Sequence, residues 1–326
     1  MKSKIYPHRL KIGKVIVTAE IPGGNSSVFK GYLIDGTPLA IKEYKGDRQR
    51  IERMLFREEK TIDFLRGYGI RNIPEILEIR DDLGLIVYRW IEGNTPIADH
   101  EAMNAIIDMH YALENIHNNG GVFDNAIDAA FSVSEISDQI SARIQQFLVF
   151  YPTPSMRVLC DKLNELLHSH KTEQSPNRAF IQRTLSLSDL GTHNMICSSR
   201  TYSFIDFEFF GVDSINKLVG DFLLHPRNEF NETEMLLFME SVSKISNWDS
   251  IELNQVLPVL TLKWAVIAFG RSFREAKFET TGEISNELIK KSTGSMYLGY
   301  FDSLRHTEGQ SRLITFRAFV GKISQS

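Results

Sequence analysis

One carboxylate sits where the pattern asks for an apolar side chain. Between residues 47 and 65, Ile51, Leu55, Ile62 and Leu65 recur at spacings of 4, 7 and 3. That stripe marks the buried face of a helix. The position completing it is Glu58, three residues after Leu55 and four before Ile62. A buried charge without a partner is strongly unfavourable, so a cation must meet it. The upstream candidate on a strand is Lys42, in the segment read over residues 37–44. Side chains alternate along such a strand, which puts Ala40, Lys42 and Tyr44 on one face and Leu39, Ile41 and Glu43 on the other. Ala40 is small and leaves room beside Lys42 for a flat ligand. The alternative keeps Glu58 at the edge of the stripe, in water or paired with Arg57 or Lys60.

The surroundings of this pair are β-rich. Strands are expected over 14–20, 27–34, 37–44, 76–80 and 85–88, with Asp35-Gly36 as a hairpin turn. After Gly93 the pattern becomes helical, over 97–117, 133–150 and 155–170. A short β region spans 181–207, and from Ser214 onward helix prevails. This predicts an α+β fold. Its N-terminal lobe, residues 1–91, is a small antiparallel sheet of five strands with one helix, and its C-terminal lobe, 92–326, is larger and mainly helical.

The turn joining the first two of these strands is Gly23-Gly24-Asn25-Ser26-Ser27. Two glycines let backbone approach a ligand, and such a turn can cover phosphates. It is not a P-loop, since no Gly-Lys-Ser/Thr is present and no helix follows. The plain alternative is an ordinary hairpin turn.

A second constellation runs from Leu185 to Glu208. Residues 195–197 and 202–205 read as two short strands joined by a turn near Arg200, which places Asn194 roughly opposite Asp206. Directly paired residues have Cβ atoms about 4.5–5.5 Å apart, close enough for an amide oxygen and a carboxylate to share a Mg²⁺ ion. Asp189, five residues before Asn194, is placed to accept a proton from a substrate hydroxyl. Glu208 is either a further metal ligand or a carboxylate bonded within its loop. Taken alone, these groups could equally cap turns.

Composition narrows the function classes. A net charge of −4, from 37 Lys+Arg against 41 Asp+Glu, is a poor match for a nucleic-acid binder. Two cysteines rule out a disulfide framework and fit a reducing, cytoplasmic setting. The first residues carry charge but no apolar run. The most apolar stretch, 256–270, holds Pro258 and Lys263 and reads as a buried helix too short to cross a bilayer. No membrane partner is expected.

In chain order, these pieces resemble the protein-kinase-like fold, and within it the aminoglycoside phosphotransferase and choline kinase-like family. Ala40-Ile41-Lys42 resembles the family's phosphate-anchoring lysine strand, and Arg57-Glu58-Glu59 the helix carrying its partner glutamate. Residues 86–93 look like the hinge, and the match implies that the Arg89 carbonyl and the Ile91 amide meet adenine. Asp189 to Asn194 matches the catalytic loop Asp-x-x-x-x-Asn, and Ile205-Asp206-Phe207-Glu208 the metal-binding segment. Asp221 resembles the buried aspartate that braces the loop. Leu187 stands where the family usually has histidine, and neither Ala-Pro-Glu nor an activation loop is present.

The resemblance implies an ATP-dependent phosphotransferase, with GTP a possible donor, acting on a hydroxyl of a small molecule such as an aminoglycoside, amino sugar or amino alcohol. Asp189 is then the catalytic base. Gly23, Gly24, Asn25, Ser26, Ser27, Ala40, Lys42, Glu58, Arg89 and Ile91 bind nucleotide, and Asn194 and Asp206 bind Mg²⁺. The acceptor is expected in the helical part, near Asp124, Asp128 and residues 138–147. The competing readings are a non-catalytic nucleotide-binding module and a protein kinase.

Overall fold

Strand alternation around Lys42 becomes two chemically different sheet faces. In the computed structural model, which describes residues 4–6, 8–22, 26–173, 182–249, 251–279, 284 and 286–305, six strands precede residue 90. These are β1 (Lys4–Ile5), β2 (Val15–Pro22), β3 (Ser26–Leu33), β4 (Pro38–Tyr44), β5 (Ile76–Arg80) and β6 (Leu85–Arg89), with helix α1 (Arg48–Gly67) between β4 and β5. They form one antiparallel sheet in the order β1-β2-β3-β4-β6-β5. The sequence reading gave five strands. The sixth, β1, has two residues, too few to show alternation.

On one face Leu39, Ile41, Leu85 and Val87 pack with Tyr6, Leu10 and Val15 into an apolar cluster. The other face carries Lys42, Tyr44 and, on β6, Tyr88, which pairs in register with Ala40. Helix α1 buries Met54, Leu55, Glu58, Thr61, Ile62 and Leu65, and Asp47 caps its start by accepting the Arg50 N–H. The carboxylate in the stripe is therefore buried, as its spacing required.

The remaining elements are α2 (His100–Asn118), α3 (Val133–Phe150), α4 (Pro154–Glu173), β7 (Arg183–Ser186), β8 (Met195–Ser198), β9 (Thr201–Phe204), β10 (Gly211–Ser214), α5 (Ile215–Leu224), α6 (Glu232–Ser246), α7 (Ile251–Glu279), α8 (Asn286–Lys291) and α9 (Thr293–Arg305). Strand β10, which pairs with β7, was hidden because Gly-Val-Asp-Ser has no strand pattern. Helix α2 starts three residues later than the sequence suggests, because Asp99 caps it by accepting the Ala102 N–H.

The chain divides into two compact units, Met1–Ile97 with Thr192–Gly211, and Ala98–Gly191 with Val212–Ser326. The β8–β9 hairpin thus belongs with the first sheet, not with the helices on either side of it in sequence. Asn72 explains the attachment: its carbonyl accepts the Phe204 N–H and its amide donates to the Tyr202 carbonyl. Gly93 adds a second tie. At φ +136° it lies so close to β8 that a Cβ would fall 2.3 Å from the Cys197 oxygen, and Asn94 and Cys197 exchange two backbone hydrogen bonds beside it.

In the second unit α7 packs against α3, α4, α5 and α9. Its stretch Ile251–Arg274 is 24 residues long and, contrary to the sequence expectation, long and apolar enough to cross a membrane by length and composition. Yet 83% of its most apolar window is buried inside the protein, which is how a core helix behaves.

Elsewhere in this unit, His110 of α2 is buried, its Nε2 lying 3.1 Å from Ser246 Oγ. Burial pushes its pKa down from 6.5 to about 4. The unfolded chain therefore binds a proton near pH 6.5 that the folded chain refuses until about pH 4. Stability is full above that window and falls as pH drops through it, by up to about 3 kcal/mol. Urea unfolding at pH 7.5 and 4.5 should show this loss, and His110→Gln should flatten it. An identical pH dependence in the variant would clear His110 of the effect.

Candidate active site

Strand β4, helix α1 and the segment after β9 converge on one ammonium. Lys42 Nζ lies 2.7 Å from Glu58 Oε2, 2.7 Å from Asp206 Oδ1 and 3.4 Å from Glu208 Oε2. Lys42, Glu58 and Glu208 are buried, while 37% of the Asp206 side chain is exposed. Burial opposes a charge on Lys42, but Asp206 and Glu58 outweigh it and hold its pKa well above the ordinary lysine range. Burial also raises the Glu58 carboxyl, with Lys42 pulling it back.

Two tyrosines complete the pocket around Glu58. Tyr88 donates to Oε1 at 2.7 Å and Tyr44 donates to Oε2. Sequence reading placed Tyr44 on the correct face but missed its role. Tyr88 could be found only by knowing that β6 pairs with β4. Tyr88→Phe keeps the ring and removes a buried donor to a carboxylate, so it should destabilise the protein by about 2 kcal/mol. A loss below about 0.5 kcal/mol in urea unfolding would mean that Glu58 finds another donor.

The β8–β9 register runs Met195↔Phe204 to Ser198↔Thr201. Continued outward, it sets Asn194 against Ile205, whose N–H donates to the Asn194 carbonyl at 2.9 Å. The expected pairing with Asp206 is thus off by one residue. Asp206 instead adopts a left-handed backbone, φ +67°, and its carboxylate meets Lys42. Arg57 of α1 steadies the following turn by donating to the Phe210 carbonyl at 3.1 Å.

Other predicted residues fall as follows. Gly23, Gly24 and Asn25 lie outside the described residues. Ser26 and Ser27 open β3, buried, opposite Tyr44 and Glu43. In the hinge, Arg89 N–H donates to the Glu75 carbonyl and Trp90 N–H to the Pro38 carbonyl. Among the described residues none accepts the Ile91 N–H.

Asp189 stands in the second unit, after a tight turn in which Ser188 N–H donates to Ser186 Oγ and Asp189 N–H to the Leu187 carbonyl. Asp221 does not brace this loop directly: its partners are Lys217, Lys263 and Trp264. One side chain that does reach the loop is Asn228, donating to the Leu190 carbonyl at 3.1 Å and the Phe222 carbonyl at 2.8 Å. Asp128, expected near an acceptor, is paired with Arg143 at 2.8 Å.

No family model matches the sequence, and no curated protein matches it. Solved structures do. A choline/ethanolamine kinase family protein from Mesorhizobium loti is similar at TM-score 0.54 and 15% identity, covering 92% of each chain. The gentamicin complex of APH(2")-IIa is similar at TM-score 0.59 and 15% identity, covering 90% of this chain and 92% of that one. Spectinomycin phosphotransferase APH(9)-Ia, in complex with ADP and spectinomycin, is similar at 0.51 and 15%, covering 95% and 92%. The fold is kinase-like. Its small antiparallel sheet and mainly helical remainder are those expected from the sequence. At such identities the likeness concerns the fold, and any chemistry has to be argued from the residues.

The donors near Lys42 suit a hard cation. Ligand oxygens of Glu58, Asp206 and Glu208 lie within 4.8 Å of one another, and Mg²⁺ is held by carboxylate, amide and water oxygens. Asp206 has both the charge and the exposure for that task.

Proposed function

We propose that this protein is a divergent aminoglycoside phosphotransferase or choline kinase-like enzyme, transferring phosphate from ATP to a hydroxyl of a small molecule. The observation that carries the reading is Lys42, gripped at 2.7 Å by Glu58 on one side and by Asp206 on the other. A lysine fixed by a buried carboxylate is a preset cation for the α and β phosphates, and positioning plus electrostatics supply most of such catalysis. Asp206 and the Asn194 amide would hold Mg²⁺, with Glu208 behind them. When bound, the ion neutralises charge on the moving phosphoryl group. Asp189 would orient the acceptor hydroxyl and take its proton. The turn over residues 23–27 would cover the phosphates, and the Ile91 amide would meet the base. An amino sugar or amino alcohol is the acceptor class this reading proposes, as the sequence resemblance implies.

Thermal unfolding with Mg²⁺ and ATP or GTP tests the reading. Nucleotide that binds only the folded state should raise Tm by about 3 °C at concentrations well above Kd. The rise should need Mg²⁺ and should vanish in Asp206→Asn. Asparagine is the variant of choice because it tolerates the left-handed backbone at this position. No rise with either nucleotide would overturn the nucleotide site. A rise with neither hydrolysis nor transfer would favour the binding-module alternative.

A further inference from the structure

The second unit carries a histidine that neither the sequence motifs nor the reading above uses. His225 caps the C-terminus of α5. Its Nε2 lies 3.3 Å from Asp189 Oδ1, and only 13% of its side chain is exposed. Its Nδ1 accepts the backbone N–H of Arg227 at 3.1 Å. A ring nitrogen that accepts carries no proton, so the neutral imidazole must hold its proton on Nε2, the nitrogen facing Asp189. The tautomer is thereby assigned from the local hydrogen bonding.

The ring is also fixed in direction. It stands edge-on to Trp264 of α7, with centroids 4.9 Å apart and planes at 84°. The Trp264 indole donates to Asp221 Oδ1 at 2.9 Å. Asp221 is in turn bound by Lys217 and Lys263, both buried. Two helices thus hold the imidazole in one pose against Asp189. The loop has no polar side chain of its own for this at position 187, where Leu187 is buried and apolar.

We propose that His225 is a positioning residue for Asp189. As a neutral Nε2–H donor it engages Asp189 Oδ1 and holds the carboxylate in one orientation for the acceptor hydroxyl. This inference rests on the phosphotransferase reading, with Asp189 as the base. It assigns to a residue after α5 a loop-ordering task at a loop that has leucine, not histidine, at position 187.

The test uses the full chain, with MgATP as the probe and hydrolysis or transfer as the rate. His225→Leu should lower kcat by about 10- to 100-fold, the scale expected when a reacting group is misplaced. The KM for MgATP and the nucleotide-dependent rise in Tm should stay unchanged. His225→Gln, which keeps an N–H donor, should recover part of the loss. In the wild type, ¹⁵N resonances should show His225 as the neutral Nε2–H tautomer. Wild-type kcat in His225→Leu would overturn the proposal while leaving the phosphotransferase reading intact. So would an Nδ1–H tautomer, or equal losses in the glutamine and leucine variants. If leucine prevents folding, the glutamine variant and the tautomer decide. A wild type with neither nucleotide binding nor turnover would overturn the phosphotransferase reading, and this inference with it.

Discussion

On the proposed phosphotransferase reading, Asp189→Asn should cut phosphoryl transfer by about 10²- to 10⁴-fold, the usual worth of a placed general base, and should leave nucleotide binding intact. Asparagine has the shape of aspartate but cannot take a proton. The turn that presents it has hydrogen bonds of its own that do not involve the carboxylate. It is set by Ser186 Oγ and the Leu187 carbonyl, with Ser188 at φ +63°. Asn228 holds the next residue from behind. The variant should therefore fold as the wild type does and show the same MgATP-dependent rise in Tm, with kcat alone reduced. An unchanged kcat would remove Asp189 from the chemistry.

The largest effect on stability should come from Lys217. Its Nζ lies 2.7 Å from Asp213 Oδ2 and 2.9 Å from Asp221 Oδ2, and all three side chains are buried. Burial works against the charge on Lys217, but the two carboxylates overcome it and raise its pKa. Burial also tends to raise Asp221, yet Lys217 and Lys263 hold it down at about 2. Lys217→Met fits the volume but leaves two buried carboxylates with Lys263 alone. Breaking such a network from one side costs about 3–5 kcal/mol. Urea unfolding should show that loss, and a second change, Asp213→Asn, should restore part of it. A loss below about 1 kcal/mol would mean that water or Lys263 takes over the charge.

What the sequence made legible was whatever repeats with a fixed period. The α1 stripe announced its own exception at Glu58, and strand alternation put Lys42 and Tyr44 on one face. The hidden features depend on pairing across the chain. Tyr88 reaches Glu58 because β6 lies beside β4, 44 residues apart at Lys42↔Ile86. Asn194 slipped one residue from Asp206 because the turn holds two left-handed residues, Ser199 and Arg200, and a one-residue slip in a hairpin carries no compositional mark. His225 was invisible since nothing in Leu-His-Pro-Arg sets it apart from a helix end. Only the fold brings it to Asp189. Asp221 was correctly read as buried, but its partners Lys263 and Trp264 lie on a helix beginning 30 residues later.

The three donors on Glu58 bear on how such a protein could be controlled. Lys42, Tyr44 and Tyr88 all donate to a carboxylate buried away from solvent. Swinging α1 away would forfeit all three bonds, each worth about 1.5–3 kcal/mol when one partner is charged. The displaced arrangement would then be populated by about one molecule in a thousand or fewer. The helix is accordingly unsuited to serve as a throttle.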